Sequence, residues 1–170
     1  MQLQTIGLKS FAILFAIVAI GPIVVGAVLA REAGTANRAG FWWIFAIGVL
    51  TLAVIGGSMK NRSVAIRDDE VIVKSTFYST SIPLTNISSI STVVPGSPSD
   101  LVGMRVNGVG LPGFRSGWFD SKAGGRLFVD RVAGDYLSIF VNGKPRLALQ
   151  FSDNQSAAQI LSAAIPKEAK

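Results

Sequence analysis

The sequence contains no cysteine and no histidine. Those two absences exclude disulfides, lipobox-type lipidation, thiolate nucleophiles, imidazole acid–base chemistry and the ordinary ligand sets of zinc, haem and iron–sulfur centres. Any catalysis would fall to Asp, Glu, Ser, Lys or Tyr, and no cofactor is expected. Charge is scarce too. Asp, Glu, Lys and Arg make up 15% of the 170 residues and mean hydropathy is +0.48, a combination that a water-soluble globule of this size seldom shows.

The cause is local. Phe11 to Ala30 and Phe41 to Met59 carry no charged residue, and each run is long enough, as a helix, to cross about 30 Å of hydrocarbon. Neither alternates as a barrel strand would, so the sequence predicts a two-helix transmembrane hairpin over residues 1–60, with helices at about 11–30 and 41–59. Lys9, Lys60, Arg62 and Arg67 flank the pair, against Arg31 and Arg38 in the connection. This bias favours both termini on the cytoplasmic side of a multi-pass membrane protein, with the lipid bilayer as a partner. Val28-Leu29-Ala30 is a poor match to a signal-peptide cleavage site, and the apolar run before it is too long for one. Neither run holds an ionisable residue, so transport by this chain alone is not expected. Pro22 is expected to kink the first helix. The small-residue pairs Gly26/Ala30 and Ala53/Gly57 have the spacing that permits close helix contact.

After Met59 the pattern changes to short runs rich in β-branched and aromatic residues, which marks a domain of residues 61–166 before a tail of 167–170. Strands are predicted at 63–67, 71–77, 80–83, 88–94, 114–119, 126–131, 136–141 and 146–151. Asp68-Asp69-Glu70 reads as a tight turn, and Asn142-Gly143 as a type I′ hairpin turn. A closing helix follows, with Ser152 and Gln155 as its capping box and Ala157, Ile160, Leu161, Ala164 and Ile165 as its apolar stripe. Pro166 stops it.

The segment from Arg105 to Phe119, with Asn107, Gly108, Gly110, Pro112, Gly113, Arg115, Gly117 and Trp118, resembles a family of bacterial pleckstrin-homology-like (PH-like) domains. Ser81-Ile82-Pro83-Leu84-Thr85-Asn86-Ile87 is similar to a phrase of the same family, so the resemblance covers roughly residues 60–165. It implies a seven-stranded antiparallel β barrel or sandwich capped by a C-terminal α-helix, here an α+β membrane protein of the bacterial cytoplasmic (inner) membrane. It implies no catalytic residues. PH folds known for lipid binding use a basic pocket between their first strands, where this chain offers only Arg67 and Lys74 beside three acids.

Gly108, Gly110 and Gly113 spell G-x-G-x-x-G, but Pro112 and the strand-like residues after it deny the motif the helix that a dinucleotide site needs. A loop requiring positive φ or close backbone approach is the favoured reading. Arg105, Asn107, Arg115 and Trp118 form the candidate ligand site, of a kind that recognises a phosphate or carboxylate. Residues 60–170 hold thirteen Lys/Arg and nine Asp/Glu, a net charge of about +4, too thin for nucleic acid. The acids Asp68, Asp69, Glu70, Asp100, Asp120, Asp130, Asp135 and Asp153 read as turn and cap residues. The expected function is therefore a non-catalytic, membrane-anchored binding or scaffold module that engages a protein partner or a second copy of itself. Anionic lipid or small-ligand sensing by the Arg105 to Trp118 loop is the alternative.

Overall fold

The computed structural model describes residues 1–6, 12–13, 16, 20–33, 38–58 and 62–166. Helices α1 (Gly21–Ala33) and α2 (Arg38–Ser58) come first and pack against each other. Gly26 and Gly48 are buried, whereas Ala53 and Gly57 are exposed, so of the four small residues expected at the contact Gly26 alone is seen to be covered.

The expected transmembrane hairpin is overturned: among the described residues no helix is long and apolar enough to cross a membrane. A crossing helix needs about 20 predominantly apolar residues. α1 has thirteen, a length of about 20 Å. α2 starts on the charge of Arg38 and includes Gly48, Thr51, Gly56, Gly57 and Ser58. Lys9, Phe11, Met59 and Lys60 lie outside the described residues. The membrane-protein class, the multi-pass inner-membrane location and the sidedness of the termini all rested on that hairpin and fall with it.

The rest of the chain is a β unit. β1 (Ser63–Arg67), β2 (Glu70–Ser75) and β3 (Tyr78–Pro83) form a three-stranded antiparallel sheet. Asp68 and Asp69 turn between β1 and β2 with φ of 51° and 58°, as a type I′ turn requires. A 3-10 turn at Leu84–Asn86 leads to β4 (Ile87–Val93), β5 (Val102–Leu111), β6 (Phe114–Ser121), β7 (Arg126–Arg131), β8 (Tyr136–Val141) and β9 (Lys144–Leu149), a six-stranded sheet in the order β4-β8-β9-β7-β6-β5. The expected count of seven strands is thus corrected to nine among the described residues, and among these the expected antiparallel pairing has one exception. Asn142 and Gly143, at φ of 50° and 73°, fold β9 back on β8 and lay it parallel to β7, with Leu147 beside Phe128 and Ala148 beside Val129.

The main core lies between the two sheets. Val64, Val71 and Val73 of the small sheet meet Phe128, Leu137, Ile139, Leu147 and Leu149 of the large one, all essentially inaccessible to solvent. On the other face of the large sheet Val93, Val102, Phe119, Leu127, Val129 and Tyr136 form a second cluster. Helix α3 (Asn154–Ala164) packs on β4 and β8 and buries Ala157 and Leu161. Its cap is Asp153 rather than the expected Ser152. Asp153 accepts from the Ser156 N–H at 3.0 Å and from the Ser156 hydroxyl at 2.6 Å, and these bonds hold its carboxyl below the usual carboxylate range.

Residues 1–6 also belong to this unit. Leu3 is buried and bridges to Phe151, the Gln4 N–H donates to the Gln150 carbonyl at 2.9 Å, and Arg62 Nη1 donates to the Gln4 carbonyl at 2.8 Å. The chain therefore leaves the β unit at Ile6 and re-enters it at Arg62 beside the point of departure.

Candidate functional site

The glycine motif is part of a β hairpin. Gly108 and Gly110 lie in β5, and Pro112-Gly113 make the turn into β6, with Leu111 and Phe114 paired across it. Proline followed by a glycine at φ 76° is the pairing that a type II turn uses. Gly108 faces Gly117 directly. A Cβ on Gly117 would lie 2.5 Å from the Asn107 carbonyl oxygen and 2.7 Å from the Gly108 Cα, so these backbones approach more closely than side chains allow.

The strand pairing divides the four expected ligand residues. Asn107 faces Trp118, and Gly110 faces Arg115, three residues further on each strand and so on the opposite side of the sheet. Asn107 accepts a hydrogen bond from the Tyr78 hydroxyl at 2.9 Å. Trp118 packs its edge against Phe128, with ring centroids 5.1 Å apart, and lines a groove of about 220 Å³ with Thr80, Pro83 and Arg146. Asn107 is exposed and Trp118 half-buried, both on the face of the large sheet that carries Phe128. Arg105 and Arg115 stand on the other face. Arg105 lies along Gly110, its Cδ and Nη1 each 3.7 Å from where a Gly110 Cβ would be. Arg115 is the cross-strand neighbour of both Gly110 and Arg131, so Arg105, Arg115 and Arg131 form a row over β5, β6 and β7.

Arg131 was not singled out from the sequence, and it is the buried member of the row, 7% exposed. Its guanidinium stacks over the Tyr136 ring at 4.8 Å, and its Nη2 lies 3.7 Å from Asp100 Oδ2. Nη1 is enclosed and has no hydrogen-bond partner among the described residues. Burial lowers the Arg131 pKa, the Asp100 charge opposes that shift, and the Arg115 charge adds to it. Asp100 is held by the Gly96 N–H at 2.9 Å, the Tyr136 hydroxyl at 2.8 Å and the Val102 N–H at 3.2 Å. Burial pushes its carboxyl up, yet those bonds and Arg131 leave it below the usual range. Burial, followed by the bond to Asp100, raises the Tyr136 phenol well above its ordinary value. Arg115 and Arg131 line a cleft of about 320 Å³ that the Pro112-Gly113 turn, Pro95 and Val132 also border.

A second buried cluster lies on the opposite face of β7. Arg62 meets Asp130 through Nε at 3.0 Å and through Nη2, and stacks over Phe114 at 5.1 Å. Asp130 also accepts from Ser75, whose hydroxyl is 2.6 Å from that of Ser116. Thr76 joins the same chain at 2.8 Å. Every nitrogen of the Arg62 guanidinium thus has an acceptor. The sequence held a signal for this pair, since Asp130 interrupts an apolar strand at a position that alternation assigns to the interior. Asp68, Asp69, Asp120, Asp135 and Asp153 are exposed turn, strand-end or cap residues. Among the described residues no group of acids could hold a metal ion.

The β unit is thus two stacked sheets with a helix closing the described chain. Residues 62–138 match the family model described as bacterial PH domain, which identifies this stretch as a bacterial PH-like domain and bears out the resemblance. The match ends inside β8. No curated protein and no solved structure matches the chain. PH domains are generally non-catalytic modules that mediate protein or lipid binding.

Proposed function

We propose that this protein is a non-catalytic scaffold module that assembles with a second copy of itself through α2. The observation that carries the reading is a row of apolar side chains left uncovered on that helix: Trp43 is 71% exposed, Ile47 60%, Leu50 65% and Val54 53%. Their spacing of four, three and four residues is that of a coiled-coil seam. A seam of this kind is self-complementary, so a two-fold pair buries it on both copies at once. Isolated exposed apolar residues are ordinary, but contiguous ones mark interaction surfaces.

Chemical crosslinking and sedimentation of the protein test the proposal. A dimer or larger assembly is expected, and Leu50→Glu is expected to raise its dissociation constant about 30-fold or more, as for the loss of an interface anchor worth about 2 kcal/mol. A wild-type protein that sediments as a monomer and yields no crosslinked species disposes of the reading. A second reading, recognition of an anionic ligand, is favoured by the row formed by Arg105, Arg115 and Arg131.

A further inference from the structure

The cleft at the β5–β6 turn brings together two features that rarely coincide without a ligand. One is a buried cation with an unmet donor: Arg131 is nine-tenths buried, yet Nη1 has no acceptor among the described residues. Buried donors are nearly always paired, and an orphan of this kind in a native fold calls for a partner. The other is an amphipathic cavity. Pro95, Leu111 and Val132 supply apolar wall, and Arg115, exposed on the neighbouring strand, supplies a second guanidinium. Its volume of about 320 Å³ lies at the lower end of small-molecule sites, about 300–1,000 Å³.

We propose that this cleft binds a small apolar carboxylate, whose oxygens lie between Arg115 and Arg131 and whose hydrocarbon lies against Pro95, Leu111 and Val132. The proposal rests on the second reading of function, names its ligand class, and is independent of self-association. Charge selects a carboxylate over a phosphate. Asp100 lies 3.7 Å from Arg131 and offsets one of the two cationic charges, which leaves one to match a monoanion. Arg115 and Arg131 are cross-strand neighbours that both line the cleft, and a guanidinium is the donor that takes a planar, two-oxygen acceptor bidentately. Nη1 is enclosed, so the proposal requires the Arg131 guanidinium to shift toward the cleft on binding. The site lies away from the β1–β2 turn, where Asp68, Asp69 and Glu70 crowd Arg67.

The test is a titration of the isotope-labelled full-length protein, with backbone amide shifts as the readout and sodium benzoate as the probe. Benzamide, inorganic phosphate and chloride at equal ionic strength form the other arms. Benzoate is expected to give saturable shifts confined to the 94–101 loop, the β5–β6 turn and residues 131–134, whereas benzamide gives none. Arg115→Gln, a change at an exposed position, is expected to weaken benzoate about tenfold or more, as for the loss of one charge-assisted pair. Leu50→Glu should leave the titration unchanged, which separates this proposal from the assembly of the helices. Equal binding of benzamide removes the role of charge, equal binding of phosphate removes the preference for a carboxylate, and an unaltered Arg115→Gln removes the site. Any one of these results overturns the proposal. If phosphate displaces benzoate at the same residues, the anionic reading of function survives while the ligand class named here does not.

Discussion

Asp130 and Arg131 are consecutive residues of β7, and each joins a buried ion pair, but the two pairs are built differently. On one face Arg62 and Asp130 make a double contact, Ser75 and Ser116 extend it, and the Gln4 carbonyl takes the remaining guanidinium nitrogen. On the other face Arg131 stands 3.7 Å from Asp100 and keeps a nitrogen without an acceptor. Taking a charge out of water costs several kcal/mol, which is offset only when geometry and hydrogen bonding are complete. The first pair meets that condition and joins the two sheets to residues 1–6. The second does not meet it from within the fold. A strand that alternates sides thus carries a structural charge on one face and an incompletely satisfied one on the other.

Breaking the closed pair gives the largest effect expected. Asp130→Ala leaves Arg62 buried against Phe114 with no counter-ion and is predicted to destabilise the β unit by about 3–5 kcal/mol, measured by urea denaturation. A loss below 1 kcal/mol would mean that the cluster is peripheral to folding. Tyr136→Phe comes next, at about 1–2 kcal/mol for a hydrogen bond donated to a carboxylate. This variant also carries a pH signature. The folded phenol titrates above its ordinary value of 10.0, so its contribution is complete below that pH and declines as pH rises through the folded pKa. Asp100 has the opposite sign: its lowered pKa gives stability that is present above about 3.8 and is lost as pH falls below it. Tyr136→Phe should therefore flatten the alkaline limb and soften the acid one. Limbs that coincide with those of the wild type would contradict the assignment. Arg131→Met is expected to be the mildest, within about 1 kcal/mol of the wild type, because Asp100 keeps three other hydrogen bonds and an unsatisfied cation is removed. A loss as large as that of Asp130→Ala would abolish the distinction between the two faces.

The strands that sequence reading found share one property, alternation of β-branched and aromatic residues with polar ones, and β1, β7 and β8 fall where that pattern puts them. β5 was missed because Gly103, Gly108 and Gly110 are residues that strands ordinarily avoid. What makes them fit is the close approach of Gly108 to Gly117, a contact between segments that no local window contains. The parallel pairing of β7 with β9 was illegible for the same reason. Alternation shows that a strand has two sides, but not which strand lies next to it.

The candidate site was legible by residue type and not by position. Arg105 and Arg115 lie on one face of the sheet, whereas the register of β5 with β6 sends Asn107 and Trp118 to the other side. Arg131 lay in a run read simply as strand, and its importance depends on a loop, residues 94–101, that carries no motif. The helices misled in the opposite way. Their composition is that of bilayer-crossing segments, yet among the described residues no helix meets the length and apolarity of one.

The hydrogen bond between Arg62 and the Gln4 carbonyl ties together the two stems of the helical excursion, and the same arginine grips Asp130. One guanidinium therefore holds residues 1–6, the large sheet through Asp130 and, through Ser75, the small sheet. Replacing that side chain would loosen the N-terminal segment and the seam between the layers in a single stroke.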